Sequence, residues 1–222
     1  MPSDESDFAD IEATLKKSAA AMRDAGIPFL LGGSLASWAL GGPESRHDLD
    51  WMIKREDADR ALEALAAAGM TPERPPEGWL VKAWDGDVLV DLIFHPTGMP
   101  ITDEVIERGT WLHVLSMDVR VMSIEDVLVT KLNSLTEHYL RYESLLGIAR
   151  ALREQIDWKA VRERAVDTPY ARAFFTLVEG LGIVGPEEAP DTQGQAPNLR
   201  VADGPPVPAP VGFEGSTAHG TG

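Results

Sequence analysis

The chain contains no cysteine. Disulfides, thiolate metal centres, iron–sulfur clusters and cysteine nucleophiles are excluded together. A reducing compartment fits that absence. Long apolar runs are missing too, and none approaches the ~18 residues of a membrane span. Residues 1–10 are acidic and polar, without the basic start and apolar stretch of a signal peptide. The expectation is a cytoplasmic protein that makes no contact with a membrane. Positive charge is also scarce, with 20 Lys and Arg against 36 Asp and Glu, a net charge of −16. A protein that grips nucleic acid along a broad basic face has the opposite balance. RNA contact would therefore need a local patch.

What is present is an ordinary core-forming composition, 44% hydrophobic over 222 residues. At roughly 100–200 residues per domain, that is one or two domains. Phe8, Ile11, Leu15, Ala19 and Met22 recur at spacings of three and four, which predicts a helix over 7–25. Gly26 and Pro28 supply its stop. Residues 27–31 read as a strand, Gly32-Gly33-Ser34 as a break, and 35–40 as a short helix. A strand over 49–53 and a helix over 56–68 follow. Residues 79–84 and 88–94 read as strands around Asp85-Gly86-Asp87, a strong hairpin signal. Short strands are expected at 111–115 and 119–122.

From Ser123 the pattern becomes helical, over 123–138, 142–154, 157–166 and 169–181. Ser123 with Asp126 three residues later fits a capping box. The last 38 positions, 185–222, hold seven Gly and seven Pro. Such a segment buries too little apolar surface to offset its ordering entropy, so a disordered tail is expected. The fold class is α+β, a small mixed sheet flanked by helices, followed by a helical region and that tail. The expected division is 1–122, 123–184 and 185–222.

Three pieces carry chemistry. Gly32-Gly33-Ser34 follows an apolar strand and opens a helix. Two glycines let the backbone approach a bulky anion, and helix N-terminal N–H groups with a Ser34 hydroxyl bind phosphate. The same Gly-Gly also serves plain sterics at a strand–helix junction. Asp48 and Asp50 form the second piece. Strand residues at i and i+2 share a face, and two neighbouring carboxylates repel unless a cation neutralises them. Oxygen ligands of this kind suit Mg²⁺ or Mn²⁺; the plain reading is two solvated aspartates. Asp91 is the third, a single charge within the apolar run 88–94. It is either on an edge strand facing water or a further ligand beside Asp48 and Asp50.

In this order, strand, Gly-Gly-Ser, helix, Asp-x-Asp and a later strand with a lone Asp, residues 27–94 resemble the nucleotidyltransferase superfamily of DNA polymerase β type. The resemblance implies that Gly32, Gly33 and Ser34 hold the phosphates of a nucleoside triphosphate. It implies that Asp48, Asp50 and Asp91 are the catalytic carboxylates and ligate Mg²⁺ or Mn²⁺. A nucleoside monophosphate would pass to an acceptor hydroxyl and pyrophosphate would leave. The alternative is a non-catalytic nucleotide-binding module of the same fold.

Lys131 falls inside the apolar stripe Ile124, Val127, Leu128, Leu132 and Leu135. Its stem either snorkels to water or carries a cation to the triphosphate. AbiEii-type nucleotidyltransferase toxins have a lysine in a comparable helix, a resemblance that favours the second. Those toxins also place an Arg shortly before Asp-x-Asp, and Arg46 stands near that place, as a phosphate contact or a surface ion pair. His47 is expected to donate a hydrogen bond from the second layer, and Trp79 or Trp84 to sit in the core or stack on a base.

The acceptor is either RNA, such as a tRNA end, or a small hydroxylated molecule, as for antibiotic nucleotidyltransferases. Arg141, Arg150, Arg153, Lys159, Arg162 and Arg164 are the candidate RNA contacts, or a solvated face shared with Glu143, Glu154 and Glu163. An antitoxin partner or a homo-oligomer is left open by the sequence.

Overall fold

The structure, a computed structural model, describes residues 4–43 and 49–184, with side chains from residue 9 onward. Asp48, Arg46, His47, His219 and the glycine- and proline-rich segment 185–222 lie outside the described residues.

Seven strands form one mixed sheet: β1 (Phe29–Leu31), β2 (Leu49–Ile53), β3 (Thr71–Glu73), β4 (Leu80–Asp85), β5 (Val88–Ile93), β6 (Thr110–Val114) and β7 (Met117–Val121). Their spatial order is β3-β4-β5-β2-β1-β7-β6. The pairs β2–β5 and β1–β7 are parallel; the others are antiparallel. Helices α1 (Asp4–Asp24), α2 (Gly33–Ala39), α3 (Ala58–Ala67) and α4 (Asp103–Glu107) belong to the sheet portion. Helices α5 (Ile124–Asn133), α6 (Tyr142–Leu152), α7 (Trp158–Arg164) and α8 (Pro169–Gly180) follow.

The stripe of α1 is buried as its spacing predicts: Ile11, Leu15, Ala19 and Met22 all lie in the core. Helix α3 buries Ala58, Ala61, Leu62 and Leu65 in the same way. Both helices pack beside the sheet, against the face that carries Leu49, Trp51 and Ile53. The Trp51 indole N–H donates to Ser18 Oγ on α1 at 2.9 Å. Strand alternation then turns Asp50 to the opposite face.

Two elements have no clear sequence signal. Strand β3 contains Pro72 and pairs only with β4, as an edge strand must when one residue lacks an N–H. Helix α4 spans five residues, too few for a periodic pattern. The turn between β6 and β7 places Leu115 at φ 46° and Ser116 at φ 63°. A two-residue turn needs that left-handed backbone, but no glycine marks it here.

Side chains cap α5, α7 and α8. Ser123, Asp157 and Thr168 accept from the backbone N–H of Asp126, Ala160 and Ala171. Such caps are worth about 1 kcal/mol each. The Asp126 carboxylate itself turns away, fully buried, to Arg108 and Arg164. Arg108 reaches it with two nitrogens at 3.1 and 3.2 Å. Burial, and then the neighbouring Arg108 charge, pull Arg164 below its ordinary pKa. Helix α5 ends at Asn133, five residues before the sequence pattern suggests. There the Asn133 amide is committed elsewhere, accepting from Val166 N–H at 2.8 Å and donating to Thr97 O at 3.1 Å. Among the described residues no helix is long and apolar enough to cross a membrane.

Candidate active site

Strand β1 runs out at Leu31, and the chain turns through Gly32 into α2. Gly33 has φ +57°, a region that only glycine enters freely. A Cβ on Gly33 would overlap the Asp50 carboxylate. The Gly32 N–H donates to the Asp50 carbonyl at 2.8 Å. The glycine loop is thus tied to β2 at the residue that carries the carboxylate, and its missing side chain leaves room for it.

Asp50 pairs in register with Asp91 across the parallel strands β2 and β5. Side chains opposed in register share a face, so the two carboxylates are neighbours. Strand β5 has β2 on one side and β4 on the other. Asp91 is therefore not on an edge strand, and the reading of a lone charge facing water from an edge is excluded. Its Oδ1 accepts from Lys82 Nζ at 3.0 Å, and its side chain is only 18% exposed.

Lys131 projects from α5, which packs against α2. Its Nζ donates to Ser34 Oγ at 3.2 Å. The lysine in the apolar stripe thus ends on the glycine loop's own serine. Ser34 also lines a cavity of about 630 Å³ between α2 and the start of α6, bordered by Ser37, Pro43, Arg141, Glu143 and Ser144. Ser37 Oγ is buried there and has no hydrogen-bond partner among the described residues.

Residues 9–179 match the family described as uncharacterised nucleotidyltransferase. The chain belongs to this nucleotidyltransferase family. No curated protein matches it. Solved structures are similar too, among them the three that follow. The antibiotic-resistance factor ANT(2'')-Ia in solution is 15% identical, with TM-score 0.51, covering 79% of this chain and 96% of its own. ANT(2'')-Ia in complex with adenylyl-2''-tobramycin is 16% identical, with TM-score 0.49, covering 75% and 97%. The lincosamide antibiotic adenylyltransferase LnuA with lincomycin bound is 12% identical, with TM-score 0.42, covering 65% and 91%. At such identity the first likeness is one of fold. This nucleotidyltransferase is an enzyme of the superfamily that its glycine loop and aspartates suggest.

The donor set of the nucleotidyltransferase suits a hard divalent cation. Asp50 and Asp91 are register partners that supply carboxylate oxygens on one face, and the missing Gly33 side chain lets the Asp50 carboxylate lie against the glycine loop. Among the described residues no three His, Asp or Glu form a metal-binding group; Asp48, the third expected ligand, lies outside them.

Other expectations resolve differently. Trp84 Nε1 donates to Glu73 at 2.7 Å and is committed. Trp79 is 39% exposed at the start of β4. His113 and His138 sit beside Asp118 and Glu137 near the surface. Of the basic residues in the later helices, Arg153, Lys159, Arg162 and Arg164 face Glu154, Glu163, Glu179 and Asp126. The first three share a face with acids, while Arg164 turns to the buried Asp126. Lys82 is a site residue that the sequence reading passes over. The hairpin register shows it, because a turn that pairs Asp85 with Val88 pairs Lys82 with Asp91.

Proposed function

We propose that this nucleotidyltransferase moves a nucleoside monophosphate from an NTP to a hydroxyl of a small molecule. The observation that carries the reading is the register pair Asp50–Asp91 beside a glycine loop whose Ser34 is met by Lys131. Asp48, Asp50 and Asp91 would hold Mg²⁺ or Mn²⁺. Such ions, when bound, neutralise phosphate charge and acidify a bound hydroxyl.

The chain's own groups have distinct tasks. The Gly32–Ser34 backbone and the Ser34 hydroxyl receive the β- and γ-phosphates. Lys131 Nζ, already on Ser34, faces the charge that grows on the leaving pyrophosphate. Arg46, just before Asp48, adds a phosphate contact. Asp91 orients the acceptor hydroxyl and takes its proton. The acceptor oxygen then bonds to the α-phosphorus as the bond to the β-phosphate oxygen breaks. Positioning and charge neutralisation supply most of the catalysis, as in other phosphoryl transfers.

Several observations support a small acceptor over RNA. Among the described residues, the lining of the cavity beside Ser34 has one basic side chain, Arg141, with Glu143 next to it. Among the described residues, the helical basic residues are mostly paired with acids, which leaves few cations there for a phosphate backbone. The net charge of −16 also suits a cationic small molecule. The neighbour with the highest TM-score of the three is itself an antibiotic-resistance factor.

The test is label transfer. The protein is incubated with each α-labelled NTP and Mg²⁺, with aminoglycosides and lincosamides in one set and total tRNA in another. Asp48→Ala runs beside every reaction. Label on a small molecule, lost in the variant, is the expected result. Label on RNA would replace the acceptor class. NTP bound without transfer to any acceptor would favour the non-catalytic module.

A further inference from the structure

Lys82, Asp91 and Asp50 stand in one row across three adjacent strands. Lys82 is the antiparallel partner of Asp91, and Asp91 is the parallel partner of Asp50. Register partners share a face, so two carboxylates and one ammonium lie side by side. Lys82 Nζ is 3.0 Å from Asp91 Oδ1, with the two side chains only 22% and 18% exposed. Neighbouring carboxylates repel when no cation lies between them. The chain places a permanent cation at the outer end of this pair.

We propose that Lys82 is a positioning residue, the built-in counter-charge of Asp91, and that its ammonium competes electrostatically with a divalent cation for that carboxylate. The inference rests on the reading of Asp91 as a metal ligand. While no metal is bound, Lys82 holds Asp91 in place and offsets its repulsion with Asp50. When a divalent ion binds, the same ammonium stands close to it and weakens its hold. Metal loading without nucleotide is thereby disfavoured, and the negative phosphates of an NTP tip the balance towards loading.

The test is Mn²⁺ binding to the full-length chain without nucleotide, with free ion counted by electron paramagnetic resonance. Asp91→Asn should weaken Mn²⁺ binding. Lys82→Met should tighten it roughly tenfold, the effect of removing one charge near a divalent ion in a solvated site. Lys82→Arg, which keeps the charge, should stay near wild type. A purely structural lysine would give the opposite sign, because a loosened Asp91 binds metal less well. The rise in melting temperature on adding MnCl₂ is the second reading, and it should be larger in Lys82→Met than in wild type. Unchanged or weaker Mn²⁺ binding in Lys82→Met, with Asp91→Asn still impaired, overturns the role of Lys82 and leaves the active-site reading intact. Unchanged binding in Asp91→Asn removes Asp91 from the metal site and overturns both.

Discussion

Lys131 Nζ donates to Ser34 Oγ at 3.2 Å, joining α5 to the glycine loop across 97 positions of sequence. The contact brings a cation from the later helices to the one hydroxyl of Gly32-Gly33-Ser34. Two segments that look unrelated along the chain meet where a triphosphate would lie.

Lys131→Ala should therefore weaken NTP binding. Losing a hydrogen bond to a charged group costs roughly 1.5–3 kcal/mol, about one to two decades in Kd. Isothermal titration calorimetry with Mg²⁺–NTP reads it directly. The melting temperature should move little, since the side chain is only partly buried. Equal affinity in the variant would return Lys131 to a packing role.

Asp50→Asn keeps the shape of the side chain and removes its charge. Transfer should fall by roughly 10²–10³-fold, on the scale of losing one charge-stabilising group. Circular dichroism should show an unchanged fold. Wild-type turnover in this variant would exclude Asp50 from the chemistry.

Gly33→Ala tests the close approach itself. The new methyl meets the Asp50 carboxylate, and the residue keeps φ +57°. Gly26→Ala is the control, with φ +64° and nothing within 4 Å of the added carbon. The control should lose about 1 kcal/mol of stability from the left-handed backbone alone. Gly33→Ala should lose more, and should lose nucleotide binding with it. Equal urea midpoints for the two variants would mean that the loop moves aside at no cost.

The buried carboxylate of Asp126 gives a stability prediction with an asymmetry. Removing both Arg108 and Arg164 leaves a fully buried charge with neither cation, and should cost roughly 3–5 kcal/mol. Asp126→Ala should cost less, because the two arginine side chains remain 42% and 31% exposed to water. Urea unfolding of the two variants should rank them in that order; the reverse ranking would contradict the desolvation argument.

Much of this was legible in local pattern. The stripe Ile11, Leu15, Ala19, Met22 specifies α1 by its spacing alone. Strand β2 falls on residues 49–53, the range read as a strand in the sequence. The turn Asp85-Gly86-Asp87 sets the β4–β5 hairpin, and its register already pairs Lys82 with Asp91. Gly32-Gly33-Ser34 and the aspartates resemble a nucleotidyltransferase in sequence alone. Strand β3 and helix α4 were not legible, because three and five residues carry too little periodicity to stand out from a loop.

The sequence by itself determined most of the elements, their order and the residue types that carry charge. Apart from the hairpin pair Lys82–Asp91, only the tertiary structure decided which of those charges meet. Parallel pairing of β2 with β5 sets Asp50 beside Asp91, and a parallel register comes from the packing of the intervening segment rather than from a tight turn. The docking of α5 on α2 brings Lys131 to Ser34, and the burial of Asp126 follows from how α4, α5 and α7 converge. Contacts between distant residues depend on the packing of whole elements, and no short window of sequence encodes that packing.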